Sequence, residues 1–75
     1  MSFQDELNRI TGTTDRTKSD CLNIMAGTTN RTCQDAANII AGTTGLSVQE
    51  AMNVEAGVTS RNLSRQEATK LIPVI

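Results

Sequence analysis

Polar and apolar positions recur along this chain with a step of 15 residues. Asparagine stands at Asn8, Asn23, Asn38 and Asn53, and glycine at Gly12, Gly27, Gly42 and Gly57. Each glycine is followed by Thr13-Thr14, Thr28-Thr29, Thr43-Thr44 and, in altered form, Val58-Thr59. Upstream in each unit a hydroxyl residue precedes an acid by three positions: Ser2 and Asp5, Thr17 and Asp20, Thr32 and Asp35, Ser47 and Glu50. This is the pattern of a capping box, which satisfies backbone amides at a helix start. The glycine that follows each cap suits the left-handed residue that closes a helix, because it has no Cβ to clash there. The pattern predicts helices over 3–11, 18–26, 33–41 and 48–56. A fifth begins at Ser64, with Glu67 three residues on, after a two-residue insertion around Ser60 to Asn62, and Pro73 ends it.

Counted from each cap at 100° per residue, positions one, four, five, seven and eight share one arc, and positions two, three and six lie opposite. The shared arc is apolar. It carries Phe3, Leu7 and Ile10 in the first helix and Cys21, Leu22, Ile24 and Met25 in the second. The third carries Cys33, Ala36, Ala37, Ile39 and Ile40, and the fourth Val48, Ala51, Met52 and Val54. Departures such as Glu6, Lys18 and Glu55 mark places where a stack meets solvent or a partner.

Helices of this length fall below the ~12 residues at which an isolated helix becomes marginal in water. Neighbours must therefore cover each apolar stripe. The expected fold is all-α, an array or compact bundle of about five short helices built from helix-turn repeats. One domain spans 1–75, with units near 2–16, 17–31, 32–46 and 47–61 and a degenerate unit at 64–75. The pattern leaves an open solenoid and a closed bundle equally available.

Size and composition sharpen the energetic problem. A 75-residue chain buries only roughly 60% of the surface it exposes when unfolded. Phe3 is its one aromatic residue, so the interior is aliphatic and thin. Such a chain needs a staple. With no His, and Cys21 and Cys33 outside any Cys-x-x-Cys spacing, zinc has too few ligands, and no metal or other cofactor is expected. The start of the chain shows no basic segment followed by an apolar stretch, and no apolar run approaches the ~20 residues of a membrane span. A cytosolic protein made and kept among reduced thiols is expected, which argues against a Cys21 to Cys33 bridge. Association with another protein, or with itself, is the staple left.

Seven basic and eight acidic side chains give no long-range pull toward nucleic acid or an anionic membrane. Arg16, Arg31 and Arg61 share one place in their units, with Leu46 breaking the series. Acids lie beside this stripe and no aromatics interleave it, so nucleic-acid binding is not expected. Gly27-Thr28-Thr29 lacks the long glycine-rich loop and the Lys of a phosphate-binding loop, and turn chemistry explains it. Cys21 and Cys33 read as small apolar residues, since no His is present to activate a thiol. The acids sit one per unit at capping positions, so paired-carboxylate catalysis has no support and no enzyme is expected. The repeated Asn, one turn after Gln4, Ser19, Gln34 or Gln49, reads as structural, its amide bonding the following Gly-Thr-Thr turn or the next unit.

The chain ends Leu71-Ile72-Pro73-Val74-Ile75, apolar where polar residues are usual. Leu71, Ile72, Val74 and Ile75 either fold back over the last helix, which is favoured, or dock into a partner.

The segment from Gln34 through Ala41-Gly42-Thr43-Thr44-Gly45-Leu46-Ser47 to Asn53 resembles repeats in small structural proteins of tailed bacteriophages, those infecting actinobacteria above all. The resemblance covers most of the chain. Its first unit departs, with Thr11 for Ala and Asp15-Arg16 for Gly-Leu, and its fourth has Val58 for Thr. The resemblance implies a virion component made in the host cytoplasm, with the major capsid protein or another virion protein as partner. A capsid decoration or other minor capsid role is the first expectation. A tail or neck accessory protein, or a small cytosolic adaptor, is the alternative.

Overall fold

A computed structural model of the chain describes residues 2–58 and 63–74. Five α-helices follow in order: α1 Phe3–Thr11, α2 Lys18–Ala26, α3 Cys33–Ala41, α4 Val48–Ala56 and α5 Arg65–Lys70. The four longer ones have the expected bounds. The cause is local. The hydroxyls of Ser2, Thr17, Thr32, Ser47 and Ser64 each accept a hydrogen bond from the amide three residues on. The return bond to the cap's own amide is made by Asp5, Glu50 and Glu67, whereas the Thr17 and Thr32 units show the forward half alone. At the other end Gly12, Gly27, Gly42 and Gly57 hold φ between 69° and 74°. There the chain can turn back because nothing is attached to Cα.

Each helix packs on its neighbours in sequence, and α1 also packs on α5. Among the described residues no other helix pair brings its backbones close, and side chains from all five helices meet in one core. The array is therefore closed into a ring, flattened to 31 × 25 × 17 Å. Closure answers the question the repeat leaves open: an open stack of five would leave α1 and α5 each with an uncovered apolar face, and the ring covers both.

The interior holds Leu7, Ile10, Cys21, Leu22, Ala36, Ala37, Ala51, Met52, Val58, Ala68 and Ile72. Positions four and five after each cap are buried throughout, flanked by half-buried residues such as Phe3, Cys33 and Val48 at position one, Met25 and Ile40 at position eight, and Ala26, Ala41 and Ala56 at position nine. Fully covering a side chain such as Leu22 or Met52 contributes roughly 1.5–3 kcal/mol. Small residues at position four, Ala36 and Ala51, let adjacent helices approach closely in the middle of the ring.

Three expectations about the apolar arc change. Position seven is at its edge, and Ile24 and Ile39 are 46% and 44% exposed. At 100° per residue this position lies more than a right angle from the centre of the buried face. Position six, counted as polar, is buried: Asn23, Asn38 and Asn53 are each 7% exposed. The helix does not bury it; the following turn folds over it. Glu6, expected at solvent or a partner, is also buried, while Lys18 and Glu55 are exposed.

Candidate docking surface and ring seam

The repeated asparagines organise the outer surface. In the third unit Asn38 Nδ2 donates to Gln34 O at 2.8 Å and to Leu46 O at 2.9 Å. Its Oδ1 accepts from Thr43 Oγ1 at 2.7 Å and from the Leu46 amide at 3.3 Å. One amide thus ties the helix, the Thr turn and the residue that leads into the next cap. Asn8 and Asn23 repeat this set with Gln4, Thr13 and Arg16, and with Ser19, Thr28 and Arg31. The carbonyls of Arg16, Arg31 and Leu63 also accept from Gln4 Nε2, Ser19 Oγ and Gln49 Nε2.

This arrangement explains why Arg16 and Arg31 can alternate with Leu46: the asparagine bonds use only the backbone of that position, although the Leu46 side chain also packs against the core. It also corrects the Arg16, Arg31, Arg61 series. In the fourth unit Asn53 Nδ2 reaches Gln49 O and Leu63 O, so the two-residue insertion moves the structural equivalent to Leu63, and Arg61 lies outside the described residues. Val58 supplies no hydroxyl there, and among the described residues Asn53 Oδ1, a buried oxygen, has no hydrogen-bond partner.

Because the turn folds over each Asn, a shallow groove opens beside it. Three equivalent grooves, of about 360, 360 and 250 Å³ in the first, second and third units, follow one another around the outer face. Ile24 and Ile39 line two of them at the same register, with Arg16 and Arg31 at their edges. Unlike Leu22 or Ile10, these two isoleucines have apolar surface facing outward. The period of the helix alone does not predict this, because position seven is on the border of the arc; the depth to which the Thr turn buries Asn sets which border is open.

The first unit differs at this place. Its position-seven residue is Arg9, whose Nη2 donates to Thr69 O at 3.1 Å and to Ile72 O at 3.0 Å. Arg9 Nε donates to Glu6 Oε2 at 2.9 Å, and Glu6 is only 2% exposed. Helix α5 has Lys70 where other units have Asn, and it ends three positions early on Leu71, with φ −85°, where the other helices end on a left-handed glycine. With neither a turn-binding amide nor a left-handed closing residue, α5 ends on two short backbone bonds, from the Leu71 amide to Ala68 O and from the Ile72 amide to Thr69 O, which leaves carbonyl lone pairs free for a further donor. Arg9 is that donor, adding a second bond at Thr69 O and one at Ile72 O. Arg65 also lies 5.9 Å from the centre of the Phe3 ring, a cation over an aromatic face on the same seam.

Of the four tail residues considered for docking, Ile72 is buried in the core, Leu71 and Val74 are 52% and 59% exposed, and Ile75 lies outside the described residues. The fold-back thus engages one side chain and leaves two outward. Cys21 and Cys33 are free thiols, the first buried and the second half-buried. Among the described residues no group of three or more His, Cys, Asp or Glu is placed to hold a metal ion. Among the same residues no helix is long and apolar enough to cross a membrane. Comparison of the chain with protein-family models, with curated proteins and with solved structures finds no match.

Proposed function

We propose that this chain is a non-enzymatic structural protein of a bacteriophage virion, foremost an accessory protein that decorates the capsid shell, with the tail or neck as the second place. The resemblance of the Gln34 to Asn53 segment to phage virion repeats carries this reading. The geometry is compatible with it in a specific way. Ile24 and Ile39 stand at one register on adjacent helices, and such a repeated feature suits a partner that is itself repetitive. A docked chain of this size gains stability by mass action from a lattice that binds only its folded form. Many weak contacts made together also hold it more firmly than one alone.

Quantitative mass spectrometry of purified particles from cells producing the chain tests the proposal. Many copies per particle are expected, and their number is reduced when Ile24 and Ile39 are both changed to Asp. Particles without the polypeptide contradict the proposal. They favour instead a small adaptor that binds a soluble protein, a reading that the exposed Leu71 and Val74 support.

A further inference from the structure

We propose that the α1 and α5 seam is exchangeable between copies, so that two chains open their rings and close them on each other. This does not rest on the virion reading. Four of the five helix contacts join sequence neighbours, and the fifth joins residues as far apart as Arg9 and Ile72. Opening the seam therefore separates the two ends of the array while each remaining helix keeps its neighbour in sequence.

What is left exposed is specific. The α1 face offers Glu6 and Arg9, and the α5 face offers the carbonyls of Thr69 and Ile72. A partly buried guanidinium and the carbonyls of a helix end strongly favour a geometry that pairs them again. The seat that matches each side is found in only two places, the same chain and a second copy of it. A reciprocal dimer makes two seams where two closed monomers make two, so no seam is lost. Intramolecular closure retains the advantage of effective concentration, of order mM for a short tether. Exchange is thus expected when the chain refolds at concentrations approaching that value, and the product dissociates slowly because a seam must break first.

The test compares the full chain refolded at low micromolar and at about 1 mM concentration, with size and mass read by chromatography and light scattering. Monomer is expected at the first and a dimer of native helix content at the second, returning slowly to monomer on dilution. Arg9→Lys, which keeps the charge but loses the fork that spans both carbonyls, is expected to speed that return about tenfold. Arg9→Ala speeds it further if it folds. The pair Ile24→Asp and Ile39→Asp leaves the dimer and its rate unchanged. Three results overturn the proposal: monomer alone at every concentration, a dimer lost in the isoleucine pair, or a return rate equal in wild type and Arg9→Lys.

Discussion

The first unit and the third are built from the same plan and do opposite work. In α3, Ala36 is buried and Ile39 points outward; in α1 the same two places hold Glu6 and Arg9, Arg9 reaching α5 and Glu6 buried beneath it as its ion-pair partner. The Ala36 contact asks only for small apolar bulk, so Cys21, Ala36 and Ala51 can interchange there. The Glu6 and Arg9 contact asks for one geometry. Apolar packing holds neighbours that the chain already keeps together, and a directional polar clasp selects the one pairing that the chain does not enforce. The difference costs some stability in principle, since a buried ion pair is often no better than apolar residues of equal volume. Its value is in defining where the ring closes.

The sharpest way to break the comparison is to remove one partner of the clasp. Arg9→Ala leaves Glu6 buried without its cation and removes two hydrogen bonds from the end of α5, and a loss of about 3 kcal/mol is expected in urea unfolding. Asn38→Ala comes next, at about 2 kcal/mol, because Gln34, Thr43 and Leu46 lose their shared partner. Asn53→Ala is expected to cost less than Asn38→Ala, since Asn53 Oδ1 has no bond to lose. Equal effects at the two positions would show that the turn bonds contribute little.

Glu6→Ala follows, with a loss of about 1 kcal/mol. It costs less than Arg9→Ala because Arg9 keeps its carbonyls and no buried charge is stranded. In the third unit, Ile39→Ala is expected to change stability by less than about 0.5 kcal/mol, as a surface substitution. Val58→Thr sharpens the contrast between units from the other direction. A hydroxyl placed like those of Thr13, Thr28 and Thr43 gives Asn53 Oδ1 a donor, and a gain of about 0.5 kcal/mol is expected, checked by thermal unfolding.

Where an element is set by nearby residues, reading the chain in order finds it. Ser2 to Gly12 and its repeats define four helices to the residue, because caps and left-handed glycines act within one turn. The role of Asn38 was legible for the same reason: a polar side chain placed one turn before Gly-Thr-Thr has the turn within reach. Its burial was not, because a helical wheel describes the helix and omits the loop that folds over it. Ring closure was hidden more deeply. Glu6 in an apolar stripe signals that something unusual meets α1, yet the Thr69 carbonyl that its partner Arg9 also bonds lies 60 residues from Arg9 and carries no charge. The acceptors are backbone carbonyls, which every residue has. Lys70 in place of Asn and the missing glycine after α5 are the only local hints that this helix must be finished from elsewhere.

Nuclear Overhauser contacts in dilute solution of the monomer test the closed ring most directly. Cross-peaks between the Arg9 side chain and protons of Thr69 and Ile72, with others between Phe3 and Arg65, are the predicted result. A spectrum in which α1 and α5 are both formed but share no cross-peak contradicts the account, since it describes an open row of helices with two free ends.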